Sequence, residues 1–183
     1  GDFSWGMNLE DIKQDIEYLK KLPGKKLLIR GNHDYWWTSS KKMKEFFPDN
    51  IKFIQNDHYQ VNEELYVCGT RGWSVPGEKG FTPEDEKIYQ RELSRLRLSL
   101  DSVPSHLNRE IIVMLHYPPV NMQHEYSAFI DILKEYKVKT CIYAHLHDAS
   151  IACRIPDSKW DIEFKLVSAD ALSFSPLIIK IIS

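Results

Sequence analysis

The sequence lacks three features that would assign it to a class at once. No apolar run approaches the about 20 residues of a membrane-spanning helix. Basic residues do not exceed acidic ones, and the net charge of −2 argues against a nucleic-acid binder. The cysteines, Cys68, Cys141 and Cys153, are too few and too widely spaced for a metal or redox motif. Since each lies in or beside an apolar run, we expect buried free thiols and a reducing, cytoplasmic location.

What the chain does contain is typical of a globular enzyme. Its 183 residues are 43% hydrophobic, which suffices for a sizeable core, and we expect one domain over residues 1–183. The chain begins at Gly1 without an initiator Met. We therefore expect either a processed chain or a fragment.

Amphipathic and apolar segments alternate along the chain. Helical spacing of apolar residues predicts helices over 8–21 (with Asn8 as N-cap), 39–47, 83–103 and 125–136. Apolar runs predict strands over 26–30, 51–54, 111–115, 138–143, 151–155, 162–167 and 177–182, with a hairpin of 59–61 and 65–68. This alternation indicates an α/β fold whose strand ends meet at one edge of a sheet.

Chemically versatile side chains follow several of these strands. Asn32-His33-Asp34 follows the first strand, His116 follows 111–115, and His145 and His147 follow 138–143, while Asp2 lies at the chain start. In an extended segment residues i and i+2 face the same way, so the two later histidines would share one side. Carboxylate, amide and imidazole donors favour Mn, Fe or Zn over Ca or Mg. Taken singly, each residue has a structural alternative: a surface turn for Asn32-His33-Asp34, a frayed terminus for Asp2, and a hydrogen-bonded histidine at a strand end for His116.

These residues also carry a family resemblance. Gly1-Asp2, Gly31-Asn32-His33-Asp34, His116 and Ala144-His145-Leu146-His147 resemble the ordered motifs of the calcineurin-like metallophosphoesterases. Trp36-Trp37 and Gly69-Thr70-Arg71-Gly72-Trp73 are similar to a bacterial branch of predicted phosphohydrolases. The resemblance implies two packed mixed β-sheets flanked by helices, an α/β/β/α sandwich, with two divalent metal ions at the strand ends.

The resemblance also implies a role for each motif residue. Asp2 would bridge the two ions, Asn32, His116 and His145 would complete one site, and His147 would serve the other. His33, oriented by Asp34, would be the general acid, while a metal-bound hydroxide attacks phosphorus in line. The expected substrate is a small-molecule phosphoester. A nuclease and a degenerate, non-catalytic interaction module are the alternatives on the same fold.

The chain departs from the family pattern in two places. The family carries an Asp-x-His block on a first strand, and this chain begins after that block and after two central strands. We therefore expect an N-terminally truncated copy with exposed apolar sheet faces. Such a copy would hold one ion poorly or be inactive. The glycine of the last motif is Ala144 here, which is tolerated only where one methyl group fits.

Other residues admit two interpretations each. Arg71 would either hold a substrate phosphate or form a surface salt bridge. Trp36, Trp37 and Trp73 would either line the cleft or pack beneath the loops. The helix over 83–103 is expected to be a solvated helix with one buried face, or else a lid. Three histidines off the strand ends are expected on the surface: His58, His106 and His124.

Overall fold

The computed structural model describes residues 1–105 and 109–180. The surface position expected for His106 lies outside these residues. The helices are α1 Lys13–Lys21, α2 Ser40–Phe46, α3 Pro83–Asp101 and α4 Ala128–Glu135, with a 3-10 helix over Asp148–Cys153. The strands are β1 Lys26–Leu28, β2 Ile51–Phe53, β3 His58–Gln60, β4 Leu65–Thr70, β5 Glu110–Leu115, β6 Thr140–Tyr143, β7 Ser158–Lys159 and β8 Ile162–Leu166.

The strands form two sheets. β1 and β2 pair in parallel as a small sheet, and the larger sheet has the order β3-β4-β5-β6-β8-β7. In the larger sheet β4, β5, β6 and β8 run parallel, while β3 and β7 pair antiparallel at its two edges. This confirms the expected α/β architecture of two sheets flanked by helices. The small sheet is parallel, and the larger one is mixed.

Three apolar clusters fill the spaces between four layers. One joins α1 and α2 to the small sheet through Ile16, Met43 and Ile51. A second lies between the sheets, where Ile29 and Ile54 meet Val67. The largest cluster joins the other face of the large sheet to α3 and α4. Every residue of β4 is buried because this strand is covered on both faces.

Helix α3 shows how local sequence sets an element. Thr82 accepts a hydrogen bond from the backbone of Asp85, whose side chain accepts one from the backbone of Thr82, and Pro83 occupies the first turn. Its buried face carries Leu93, Leu96 and Leu100, each stabilising the fold by about 1.5–3 kcal/mol. The helix is therefore packed on the sheet along one face, as its periodicity predicts.

Three predicted elements are wrong in whole or in part. The first helix begins at Lys13 and not at residue 8, because Asn8 accepts hydrogen bonds from the backbone of Glu10 and Asp11 and closes a turn. Residues 151–155 contain 3-10 helix instead of a strand, with Arg154 N–H bonded to the carbonyl of Ile151. Residues 177–180 form no strand, and 181–182 lie outside the described residues.

The expectation of buried thiols holds for two of the three cysteines. Cys68 and Cys141 are buried, Cys153 is half-buried, and all three are free thiols. Burial raises the pKa of Cys68 to about 12, so this group stays protonated at neutral pH. Among the described residues, no helix has the length and apolar character needed to cross a bilayer.

Candidate metal centre

The ends of three strands and the first residues of the chain meet at one place. Asn32 follows β1, His116 follows β5 and His145 follows β6, and Asp2 lies against the loop that contains Asn32. β5 and β6 are parallel neighbours, so their carboxyl ends lie at the same edge. His116 and His145 therefore meet as the strand-end rule predicts, whereas Asn32 follows a strand of the small sheet and Asp2 follows no strand in the described part of the chain.

The four side chains gather around one ring nitrogen. Nε2 of His116 lies 2.7 Å from Oδ1 of Asn32, 3.2 Å from Nδ1 of His145 and 3.3 Å from Oδ2 of Asp2. The candidate ligand atoms of Asp2, His116 and His145 all lie within 4.8 Å of one another. His116 is only 1% exposed, so the cluster reaches below the surface.

These spacings fit a single transition-metal ion. Ligands about 2.1 Å from a metal lie about 3.0 Å apart in an octahedron and about 3.4 Å apart in a tetrahedron. Two of the observed contacts, 3.2 and 3.3 Å, fall between these distances, and the third, 2.7 Å, is slightly shorter. The ring of His116 directs all its polar contacts to the cluster, since its Nδ1 is buried without a partner in the described part of the chain. Two imidazoles, a carboxylate and an amide oxygen are a donor set that suits Mn, Fe or Zn.

The ionisation of the cluster also suits a cation. Burial lowers the pKa of His116, and it lowers the pKa of His145 to about 4, so both rings are neutral at pH 7. For Asp2, burial acts to raise the pKa, but hydrogen bonds from His116 and from the backbone of His33 lower it to about 2. At pH 7 both rings are therefore neutral and the Asp2 carboxylate is charged, which are the charge states that metal ligands of these types require.

Asp34 acts as an anchor between two segments. It is fully buried and its two oxygens accept five N–H groups, from the backbone of Gly31, Asp2, Phe3 and Ser4 and from the indole of Trp36. Among the described residues no hydrogen bond joins its carboxylate to the ring of His33. The expected orientation of His33 by Asp34 is therefore corrected: all the carboxylate's acceptor sites are used to tie residues 1–4 to the loop after β1.

Gly31 is required by the close approach of these two segments. A Cβ atom at this position would lie 2.1 Å from Oδ1 of Asp2 and 2.3 Å from its backbone nitrogen. The backbone N–H of His33 donates to the same Oδ1 at 2.8 Å. The glycine thus allows the loop to contact the Asp2 side chain directly, which directs Oδ2 toward His116.

The ring of His33 is held by aromatic neighbours. It stacks on Trp5, with ring centroids 4.2 Å apart and planes 14° from parallel, and Nδ1 lies 3.4 Å from the hydroxyl of Tyr35. Trp5 is 69% exposed, and His33 is half-buried. The structure places this ring at the surface of the cluster, accessible to a bound molecule.

The structure does not bring His147 to the cluster. His145 has φ +68°, and Leu146 N–H donates to the carbonyl of Ala144, so a three-residue turn replaces the extended segment that was assumed. The i, i+2 argument therefore fails, and Nδ1 of His147 lies 2.9 Å from Asp170 instead. Because the positive φ falls on His145, Ala144 at the glycine position causes no backbone strain.

Two site residues were missed from the sequence. The ring of Tyr117 contacts that of His145, with ring centroids 3.9 Å apart and planes tilted by 31°, and burial raises the pKa of Tyr117 to about 12. Asp170 holds His147 and the backbone N–H of Asp148. Asp170 follows β8 by four residues, so applying the strand-end rule to that strand would have found it.

The open alternatives for Arg71 and the tryptophans are resolved by packing. Trp36 is 2% exposed and contacts Phe3 and Phe47, which makes it a core residue. Trp37 and Trp73 are half-buried, and the Trp73 indole donates to Asp85. The Arg71 side chain is 11% exposed and faces buried Glu92, so it forms no surface salt bridge.

The fold is a four-layer α/β sandwich with a cluster of candidate metal ligands at one edge of its sheets. The chain belongs to the calcineurin-like phosphoesterase family, whose profile matches residues 1–149. Members of this family are in general metal-dependent and hydrolytic. A crystal structure with 14% sequence identity aligns with a TM-score of 0.56, over 86% of this chain and 62% of that chain. The chain thus spans less than two thirds of that structure, whose likeness concerns the fold. No curated protein matches the chain.

Proposed function

We propose that this chain hydrolyses phosphoesters of small molecules with a divalent cation, Mn, Fe or Zn, held by Asp2, Asn32, His116 and His145. The convergence of donor atoms 2.7–3.3 Å from Nε2 of His116 carries this proposal. Membership of a hydrolytic, metal-dependent family supports it independently.

The types of ligand in the cluster indicate what a bound cation would contribute to the reaction and what the protein itself contributes. When bound, a divalent cation supplies Lewis-acid stabilisation of phosphoryl charge and makes water acidic enough to serve as a nucleophile at neutral pH. No serine or cysteine nucleophile is then needed. The chain contributes rigidity, because Asp34 and Gly31 fix Asp2 against the loop of Asn32 before any ligand arrives.

His33 is suited to donate a proton to the leaving oxygen. Nδ1 of the ring lies 3.4 Å from the Tyr35 hydroxyl, and Nε2 forms no hydrogen bond within the described residues, so Nε2 is the atom left to meet the leaving oxygen. The stacked Trp5 limits rotation of the ring. A positioned general acid of this kind accelerates such reactions by about 10²–10⁴-fold.

A cavity beside the cluster fits the organic part of the ester. It has a volume of about 280 Å³ and is lined by His145, Tyr117, Val120, Met122 and Leu146, among others. This volume lies just below the about 300–1,000 Å³ of small-molecule sites. A compact apolar or aromatic alcohol is therefore the expected leaving group.

The test compares His33→Ala with His145→Ala, and uses His58→Ala as the matched control. His58 lies on β3 and bonds to Ser102, away from the cluster. With nitrophenyl phosphate and Mn²⁺, His33→Ala should retain the cation and lose about 10²–10⁴-fold in kcat. His145→Ala should lose the cation, measured by elemental analysis, and His58→Ala should match the wild type. Unchanged turnover in His33→Ala would remove this residue from the mechanism.

One observation favours a non-catalytic module as the second candidate. Only one group of three or more candidate metal ligands occurs among residues 1–105 and 109–180, and His147 is paired with Asp170. A chain that binds the cation but hydrolyses none of a panel of mono- and diesters would favour this module. Turnover that disappears with His145→Ala would exclude it.

A further inference from the structure

A second polar cavity lies at the same sheet edge, outside the metal donors. It has a volume of about 60 Å³ and lies between the ends of β1, β2 and β4 and helix α3. Three guanidinium groups and one carboxylate line it, those of Arg30, Arg71, Arg95 and Glu92. By the standard of about 10–15 Å³ per water-sized atom, it has room for about four to six atoms.

The charges around this cavity do not balance. Glu92 is fully buried, and it accepts hydrogen bonds from Arg95 at 2.7 Å, Arg71 at 3.4 Å and the Thr70 hydroxyl at 2.5 Å. Three guanidinium groups against one carboxylate leave a formal charge of +2 at the cavity wall. In the described part of the chain, Arg30 forms no salt bridge or side-chain hydrogen bond.

Buried polar atoms in the cavity also lack partners. Within the described residues, Nε of Arg30 and Nε of Arg71 are buried and make no hydrogen bond. Oε1 of Gln55 is also unpaired, but it is an acceptor and would not be satisfied by an anion. Burying unpaired polar and charged groups is unfavourable unless a ligand completes their contacts. The planar fork of arginine matches the oxygens of a phosphate-type anion, and such an anion has five heavy atoms.

We propose that Arg30, Arg71 and Arg95 form a subsite for a tetrahedral oxyanion, separate from the cation donors. The subsite adjoins the metal centre through the backbone, because Arg30 precedes Gly31 and the carbonyl of Arg71 accepts the N–H groups of His116 and Tyr117 at 3.0 and 2.9 Å. The oxyanion comes either from free inorganic phosphate or from a second phosphoryl group of the substrate. The latter source rests on the proposed hydrolase function.

The first experiment titrates inorganic phosphate into chelator-treated protein by calorimetry, so that no cation contributes. The wild type should bind phosphate, and Arg30→Gln and Arg95→Gln should bind it about 10- to 100-fold more weakly, the effect of losing a charged hydrogen-bond donor. Arg97→Gln is the matched control, since Arg97 lies on the same helix but pairs with Glu135. It should bind like the wild type.

Absence of phosphate binding to the metal-free wild type would overturn the proposal. Equal phosphate affinities of Arg30→Gln, Arg95→Gln and Arg97→Gln would also overturn it. If Arg30→Gln does not fold, as judged by its thermal melt, Arg95→Gln decides, because the Arg95 side chain is 36% exposed. None of these outcomes depends on turnover, so failure of the hydrolase proposal leaves this test intact.

The second experiment distinguishes the two sources of the oxyanion. It compares kcat/KM for a sugar bisphosphate with that for nitrophenyl phosphate, which has a single phosphoryl group. If the subsite holds a second phosphoryl group of the substrate, Arg95→Gln should lower the ratio of these constants about 10- to 100-fold, and Arg97→Gln should leave it unchanged. An unchanged ratio in Arg95→Gln would overturn the substrate source and assign the subsite to free phosphate.

Discussion

Replacing Asp34 with Asn tests whether one carboxylate ties the start of the chain to the metal loop. Oδ1 accepts the backbone N–H groups of Phe3 and Ser4 and the indole N–H of Trp36, and Oδ2 accepts those of Asp2 and Gly31. An asparagine of the same shape has one oxygen and one NH₂ group. In the better of its two orientations, the amide oxygen takes the place of Oδ1 and still accepts three hydrogen bonds. The NH₂ group then takes the place of Oδ2 and faces the other two N–H donors.

The magnitude follows from those two lost acceptor contacts. A hydrogen bond to a charged group contributes about 1.5–3 kcal/mol, so Asp34→Asn should lower the free energy of unfolding by about 3–6 kcal/mol. Domains of this kind are stable by about 5–15 kcal/mol, so the variant should fold under mild conditions with a much lower urea midpoint. Asp2 loses its backbone anchor in the same change, so the affinity for Mn²⁺ should fall as well.

Asp15→Asn is the matched control for this measurement. Asp15 is exposed and accepts one hydrogen bond from the Ser4 hydroxyl at 2.5 Å, so the same substitution there should change the unfolding free energy by no more than about 0.5 kcal/mol. Urea unfolding followed by tryptophan fluorescence compares the two variants. If Asp34→Asn were no less stable than Asp15→Asn, the anchoring role of Asp34 would be refuted.

Two further substitutions test local geometry. Gly31→Ala should weaken Mn²⁺ binding at least about 10-fold in a calorimetric titration, because its methyl group would lie 2.1 Å from Oδ1 of Asp2; wild-type affinity would show that the loop tolerates a side chain. Thr82→Ala should lower the free energy of unfolding by about 1 kcal/mol in urea, because it removes the cap of α3. An unchanged midpoint would mean that packing alone fixes the start of that helix.

The convergence of His116 and His145 was predictable from the sequence for a general reason. Parallel strands place their carboxyl ends at one edge whatever their side chains are, and alternating helices and strands indicate parallel pairing. Knowing which strands precede His116 and His145 was enough to bring these two together, whereas Asn32 follows β1 of the small sheet and reaches them through the packing of the two sheets. The contact distances were not predictable, because they depend on loop conformations that have no periodicity.

The positions of His147 and Asp34 show where such reasoning fails. The side-chain alternation of a strand was extended past the end of β6, where His145 adopts φ +68° and the alternation ends. The partners of Asp34 include residues 1–4, which have no regular secondary structure, so no pattern could indicate them. Residues 151–155 were apolar enough for a strand, yet Ile155 alone among them is buried.

Asp2, a proposed metal ligand, lies in the least regular segment and is the one of the four most directly coupled to the core. Asp2 lies outside any helix or strand, and its backbone is held by Asp34. The indole N–H of Trp36 lies 3.1 Å from both Oδ1 of Asp34 and the carbonyl of Ser4, while its ring packs on Phe47 beneath the small sheet. The cluster of α1, α2 and the small sheet therefore sets the position of Asp2 through one side chain. Substitutions that disturb the packing of that cluster should therefore weaken cation binding, even though the large sheet, which positions His116 and His145, remains intact.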